Sequence, residues 1–499
     1  MRLPLAIALF SFGSLLPACF STSVDDIETE PPGEDSGGDA TTGTDATITE
    51  AGVPFATDTG TPAPEASTPD AAPTTVSVLV VNDHGPESGV TVVFQDAAGN
   101  PVATATTDAS GTATQVAVAG SQVTVVMGSL QNVQIVTFEG VAPGDVLTAH
   151  DATDTTFANT QVSIDGLPDA GPPPGTGSYT VNIGPCSGSF TDLPGLVYLS
   201  PDCENRGKFP VLVQAVSSDP EDPEPIGFTY QTGNALPLDG GVAHVSLSGA
   251  WTTTFSTQSI AVSNFDFTDL TGYTAFSEIA DGISSGIPSI VVSQDGSAVN
   301  SFFGHPGYAT AVQSEANQSG NRGSGVAISA VATRSAPSPD GGAASFDYSQ
   351  FLPLLDAVTL DSSQPGQPVV SWVTEAGSLA SASGTIVTIA WNALADGGDY
   401  LPGTWTIVAP PTATSVKAPA LPPAVAAWAP PAGAQFASPP NVIVVQGSFL
   451  PGYAQLRALF STLPAPSSLL YDQFSLSGVV PPLPVDGTLK LTAITFSGD

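Results

Sequence analysis

The chain is short of positive charge. Its 499 residues hold 8 Lys and Arg against 46 Asp and Glu, a formal net charge of −38. After Arg2 the next basic residue is Arg206. A polyanion of this size repels phosphate, which argues against nucleic acid as a partner. Charged residues of both signs make up only 11% of the chain, against about a quarter in ordinary domains. Long amphipathic helices draw on Glu, Lys and Arg, so this scarcity disfavours them. A Walker loop is missing, and a dinucleotide fingerprint has no βαβ setting here, so nucleotide and flavin roles are disfavoured. The four histidines, His84, His150, His244 and His305, are scattered without His-x-His or His-Glu-x-x-His spacing. No transition-metal site and no cofactor is therefore expected.

Gly, Pro, Ser, Thr and Ala fill the gap left by charge. With 41% hydrophobic residues and a mean hydropathy of +0.19, the chain can still bury real cores. That mixture suits short strands joined by turns, and the expected fold class is all-β.

The one long apolar run stands at the start, from Leu3 to Leu16 after Arg2. It is too short for a comfortable membrane span and is built like an export signal. Its ending, Leu16-Pro17-Ala18-Cys19, resembles a bacterial lipobox. The resemblance implies a signal peptide over 1–18 and a lipidated Cys19 as the mature N-terminus, so that an acyl anchor in the lipid bilayer becomes the first partner. Phe20 follows the cysteine in place of an aspartate, which favours the outer membrane. From Phe20 to Thr75 the chain holds twelve acidic residues, no basic ones and many Pro, Gly, Ser and Thr. Such a stretch cannot offset the entropy of ordering. Residues 19–75 are read as a disordered acidic tether, spanning about 40 Å as a coil and about 170 Å when extended.

Strand signals begin at Val76. Runs at 76–81, 90–94, 102–107, 112–118, 122–127 and 133–138 are separated by Gly85-Pro86, Gly99-Asn100-Pro101, Ser110-Gly111 and Gly120. Short β-branched runs with regular turns indicate an antiparallel sandwich over 76–159. The stretches Ser88-Gly89-Val90-Thr91-Val92-Val93-Phe94, Thr107-Asp108-Ala109-Ser110-Gly111-Thr112-Ala113 and Gly120-Ser121-Gln122-Val123-Thr124-Val125 resemble the carboxypeptidase-regulatory-like and bacterial Ig-like families. That resemblance implies a sandwich of about seven strands serving as a spacer or stalk.

A second β domain is expected over 160–251. It contains Cys186 and Cys203, an even remainder once Cys19 is set aside, and an oxidising compartment favours one disulfide between them. The short loop gives such a bond about 3 kcal/mol in the chain-entropy model. A metal site is the rival, but no His or further Cys stands near enough in sequence to complete a tetrahedron. Residues 252–499 read as a larger β-rich domain, with short helices at 346–355 and 453–460. The proline-dense stretch 410–440 is barred from central strands and is read as an arm packed on the sheet. The whole order (lipobox, acidic leash, small sandwich, Cys-containing segment, Trp-bearing β region) resembles predicted surface lipoproteins of myxobacteria, a resemblance that carries no activity.

Chemistry is sparse. Gly282-Ile283-Ser284-Ser285-Gly286 matches the nucleophile-elbow pattern, which needs a strand before and a helix after. The preceding 276–280 is no clear strand, and 287–292 reads as a strand. Carboxylates cluster at Asp219-Glu221-Asp222-Glu224, Asp266-Asp269 and Asp151-Asp154. Calcium would use such oxygens, but no EF-hand or repeat motif is present and acidic turns are the simpler reading. Of the five tryptophans, Trp372, Trp391 and Trp405 sit in apolar alternating runs that suit a core, while a sugar-stacking surface is the alternative. The expected function is a non-catalytic envelope lipoprotein with a structural, adhesive or ligand-presenting role. Its further partner would be an extracellular protein or glycan. The alternatives are a carbohydrate- or calcium-binding module and an extracytoplasmic hydrolase.

Overall fold

The computed structural model describes residues 74–460 and 487–496, apart from short segments at 83–84, 152–159, 169–170, 184–185, 200–202, 204–207, 220–223, 236–240, 255, 266–270, 281–282, 293–295, 303–308, 323–324, 336–342, 376 and 395–399. The signal, Cys19 and the tether up to residue 73 lie outside the described residues.

The first strands are β1 (Thr75–Asn82), β2 (Gly85–Pro86), β3 (Thr91–Gln95), β4 (Pro101–Thr106), β5 (Thr112–Val116), β6 (Ser121–Ser129), β7 (Asn132–Val141) and β8 (Val146–His150). β1 pairs antiparallel with β5 and parallel with β8, while β4-β3-β6-β7 face them in a second layer. Alternation sets the layers: Val76, Val78 and Val80 of β1 point inward against Val92, Val125 and Phe138. The two layers have the sandwich arrangement expected here, but β8 is added and runs parallel to β1 rather than antiparallel. Its Val146-Leu147-Thr148-Ala149 was too weakly apolar to stand out.

The second group is β9 (Thr160–Gly166), β10 (Thr176–Ile183), β11 (Cys186–Phe190), β12 (Gly195–Leu199), β13 (Lys208–Ser217), β14 (Pro225–Ala235) and β15 (Val242–Ser246). Sheets β11-β10-β13-β14 and β12-β9-β15 share a core of Val162, Ile164, Val181, Ile183, Phe209, Val211 and Val245. Cys186, which opens β11, is bonded to Cys203, with the two Cα atoms 5.7 Å apart, a separation that suits a disulfide.

The remaining strands are β16 (Ser256–Ser263), β17 (Thr271–Ala280), β18 (Ile283–Val292), β19 (Gly296–Phe302), β20 (Ala309–Arg322), β21 (Gly325–Ser335), β22 (Ala343–Asp347), β23 (Leu355–Asp361), β24 (Val369–Thr374), β25 (Gly384–Leu394), β26 (Tyr400–Ala409), β27 (Ser415–Lys417), β28 (Gln435–Phe436), β29 (Asn441–Gly447) and β30 (Gly487–Phe496), with helix α1 (Tyr453–Leu459) before β30. The helix expected at 346–355 is replaced by the end of β22, a single 3₁₀ turn at Tyr348–Gln350 and the start of β23. Asp347 caps that turn through its side chain, and Pro353 interrupts the backbone donors a longer helix would need.

The sequence reading set the first segment apart from the last. The sheet joins them. Strand order β18-β17-β20-β21-β30-β29-β25-β26-β7-β6-β3-β4 is continuous, through a parallel pairing of β26 with β7. One cross-strand row runs Phe94, Val123, Phe138, Val408, Ile386, Ile443, Ala493, Ile328. It lies on the face covered by β1, β8 and Leu456 of α1. The adjacent row, on the opposite face, runs Val93, Thr124, Thr137, Ile407, Val387, Val442, Ile494, Ala327. Trp372 and Val370 of β24, Leu355 of β23 and Val416 of β27 cover that second side. Strands buried on both faces must be apolar at nearly every position, which is what Val442-Ile443-Val444-Val445 displays.

The proline-dense 410–440 packs as an arm on the second face, with Val416, Ala418, Leu421, Trp428 and Phe436 against its core. Within it, Ala420 N–H donates to Gly99 O at 3.2 Å, so the arm also reaches the β3–β4 turn. Gly403 has no Cβ because the indole of Trp391 lies where one would project.

A polar chain runs across the second face. Trp405, wholly buried, donates its indole N–H to Thr137 Oγ1 at 2.9 Å, and Thr137 Oγ1 lies 2.9 Å from Thr124 Oγ1. With the Gln95 amide oxygen turned to Thr124, that hydroxyl donates to it at 2.9 Å and the amide nitrogen donates to Val93 O at 3.0 Å. The indole can only donate and the Gln95 amide oxygen can only accept; Thr124 gives its one proton to Gln95, so Thr137 donates to Thr124 and the order runs from Trp405 to Thr137 to Thr124 to Gln95. Replacing Thr137 by Val keeps shape but orphans the indole donor. Thr137→Val should therefore lower the unfolding free energy by about 1–3 kcal/mol, measured by chemical denaturation. An unchanged midpoint would count against the chain as a stabilising element.

Candidate functional site

Three places among the described residues are candidates for a site. The first is the clamp that α1 forms over the β7–β26 joint. Ala454, Gln455, Leu456, Arg457, Ala458 and Leu459 favour helix, but seven residues are marginal alone. Packing holds them: Leu456 is buried, and Gly384 beneath it leaves the space that Leu456 and Tyr453 occupy. The Tyr453 hydroxyl lies 2.8 Å from Glu139 O and 2.7 Å from Val408 O, one carbonyl from each joined strand. Buried Arg457 donates from Nη1 to Gly140 O at 2.6 Å and from Nη2 to Asp145 Oδ2 at 2.5 Å. Its guanidinium stands 4.5 Å from the Tyr453 ring centroid, a cation–π distance. Burial pushes the Tyr453 phenol above its ordinary range, so it remains a donor. Burial also raises the half-buried Glu139 carboxyl to about 7. Every contact made by Tyr453 and Arg457 here goes to the protein's own backbone, ring or carboxylate, and their role is structural.

The second place is a shallow groove between the 364–367 turn and the proline-dense arm. It has a volume of about 290 Å³ and is lined by Pro365, Leu421, Ala426 and Ala429 with the amides of Gln364 and Gln367. Ligand pockets start at about 300 Å³ and enclose most of the ligand, which this open groove does not do.

The third is on the outer face of β12-β9-β15. Ser163 Oγ donates to Asp165 Oδ1 at 2.5 Å, and His244 Nδ1 lies 2.6 Å from Asp165 Oδ2. β9 and β15 run parallel with Ser163 opposite His244, and period-two alternation puts all three side chains on one side. The Ser163 hydroxyl and the His244 ring hold the Asp165 carboxyl below its usual range. The carboxylate is thus ionised and oriented by its neighbours, in an exposed setting. The serine bonds the carboxylate rather than the imidazole, so the three do not form a nucleophilic relay.

The residues singled out from sequence fall as follows. Cys186 and Cys203 are joined, while Cys19, His84 and His305 lie outside the described residues. Ser284 is in β18, opposite Ile279 of β17 in an antiparallel hairpin. The segment 276–280, read as no clear strand, is the end of β17, and strand follows strand where an elbow requires a helix. Trp372, Trp391 and Trp405 are buried and cannot stack on a ligand, whereas Trp251 and Trp428 are half-buried. Asp151 is buried and accepts from Gly128 N–H at 2.9 Å. Asp154, Glu221, Asp222, Asp266 and Asp269 lie outside the described residues. Among the described residues no three His, Cys, Asp or Glu gather as a metal site. The Ser163–Asp165–His244 group was missed because His244 stands 79 positions from Asp165, and the parallel pairing of β9 with β15 brings them together.

Glu139 gives the clamp a pH dependence. Its folded pKa of about 7 exceeds the ordinary carboxyl value of 4.5, so the folded state holds this proton more tightly. The resulting stability is full below the unfolded pKa and is lost as pH rises through 7. Glu139→Gln cannot lose it. The variant's melting temperature should gain on wild type between pH 5 and pH 8, and a difference constant across that range would contradict the assignment.

No family model matches the chain, and no curated protein matches it. Among solved structures the chain is similar to the Bacillus anthracis TIE protein, at 8% identity and a TM-score of 0.14, over 55% of this chain and 50% of that one. The match thus spans half of that protein's length, and it carries no argument about fold or function.

Proposed function

We propose that this is a non-catalytic envelope lipoprotein, held at a membrane through Cys19 and displaying an all-β body for structural, adhesive or ligand-presenting work. The observation that carries the reading is the order of the first 75 residues. An apolar run ends in Leu16-Pro17-Ala18-Cys19, and a stretch with twelve acidic and no basic residues follows. A tether of one charge sign does not settle on anionic head groups, so it holds the body away from the leaflet that anchors it. Two acyl chains at one cysteine suffice for a stable anchor, since each buried methylene contributes about 0.8 kcal/mol. The outer membrane is the proposed location.

The body supports the display role by its construction. Cys186 and Cys203 are bonded within the β9–β15 sandwich, and such a bond is favoured in an oxidising, extracytoplasmic compartment.

Cells expressing the full chain and fed an alkyne-bearing fatty acid should yield a labelled wild-type product that begins at residue 19, and an unlabelled Cys19→Ala product. Wild-type protein with a free thiol at position 19 and the leader retained would overturn the anchor. Protease shaving of intact cells then reports the face: loss of the body marks surface display.

A further inference from the structure

We infer that the outer face of β12-β9-β15 is a binding surface for a neutral oligosaccharide, with Tyr198 as the stacking platform and Gln161, Ser163, Asp165 and His244 as hydrogen-bonding groups. This deepens the display reading above by naming a ligand class.

The register sets the surface. Tyr198 of β12 lies opposite Gln161 of β9, which lies opposite Val242 of β15. One step along, Leu196, Ser163 and His244 form the next row. Inward positions Val197, Val162, Ile164, Ala243 and Val245 fill the core, so the alternate set faces out. Tyr198 is 65% exposed, and the His244 side chain is 67% exposed. Tyr198, next to the end of β12, stands exposed with Leu196 two positions before it and Val242 in the same row two strands away, and apolar surface left in water brings no folding gain. Tyrosine offers rigid contact area with little rotamer entropy to lose on binding.

Charge decides the ligand class. A free carboxylate would call for a cation. Asp165 is already engaged by Ser163 and His244, so its remaining lone pairs are oriented acceptors for hydroxyl donors. An anionic ligand would meet a chain of net charge −38, an unfavourable encounter. A ligand with apolar C–H faces and many neutral hydroxyls matches an aromatic plate beside an amide, a hydroxyl, an imidazole and a carboxylate. Strand spacing places Tyr198 and His244, two strands apart and one row offset, about 12 Å from each other, and Gln161 to Asp165 runs about 13 Å along β9. That is room for more than one sugar ring. The sequence concealed the face because Leu196-Val197-Tyr198-Leu199 is apolar at every position, so periodicity could not say which pair points outward.

The test uses the full chain with Cys19→Ser to keep it in solution, titrated by calorimetry with neutral tetrasaccharides of gluco, manno, galacto and xylo configuration, and with oligogalacturonate as the anionic control. Wild type should bind at least one neutral member and leave the anionic one. Tyr198→Ala should weaken that binding at least tenfold, Tyr198→Phe should retain it within about threefold, and Asp165→Asn should weaken it about fivefold, with unchanged melting temperatures throughout. No binding to any member, a tighter hold on the anionic control, or equal affinity in Tyr198→Ala would each overturn the inference. Because the assay needs no lipid, its failure leaves the Cys19 anchor untouched, and failure of acylation leaves this surface untouched.

Discussion

The parallel pairing of β7 with β26 is the constraint on which the rest of the body depends. It places Phe138 beside Val408 and Thr137 beside Ile407, extending two apolar rows across strands from distant parts of the chain. Once that joint exists, both faces of the central sheet must be covered, because strands such as Val442-Ile443-Val444-Val445 bury side chains to both sides. The β1 layer and α1 cover one face. The β23-β24-β27 sheet and the proline-dense arm cover the other. The clamp residues Tyr453 and Arg457 then serve a plain purpose: the one phenol proton goes to Val408 O or Glu139 O, and Arg457 Nη1 donates to Gly140 O and, at 3.4 Å, to Glu139 O, where the joined strands end and unpaired carbonyls would be costly to bury.

The polar chain Trp405–Thr137–Thr124–Gln95 belongs to the same constraint. It crosses β26, β7, β6 and β3 on a face that also buries Thr385, Thr492 and Ser329. A half-satisfied network would weaken the core, whereas a closed one with a single proton order specifies alignment. A one-residue slip between β7 and β26 would exchange the two rows between faces and carry Thr137 away from the indole. The hydrogen bonds thus select the register that the apolar rows, both rich in Val and Ile, leave nearly degenerate.

Much of this was legible in the residues. Most strands of the first two segments stand where β-branched runs and Gly turns put them, and the Cys186–Cys203 bond is the pairing that remains once Cys19 is set aside. The proline density of 410–440 correctly kept it out of central strands. What stayed hidden was pairing between distant segments, because strand periodicity reports which side a residue faces and not which strand lies beside it. Hence 252–499 seemed separable from 76–159. Weakly apolar strands such as Ala309–Arg322, with Gln, Ser, Asn and Glu among few apolar residues, carried too little contrast to be seen. The Ser163–Asp165–His244 group was hidden for the same reason as the joint.

The place of β30 has a consequence for how the body is made. Its residues, Gly487–Phe496, leave the ribosome after every other described strand, yet they lie between β21 and β29 in the middle of the sheet. Until they arrive, the two flanks of the sheet have no shared seam, and Ile443, Val445 and Ile328 lack the neighbours that shield them. Non-local pairing of this kind is slow, and exposed apolar strands invite aggregation while it is awaited. Completion of this sheet is therefore a late event, whereas the β9–β15 core, whose residues all precede β30, does not wait for it.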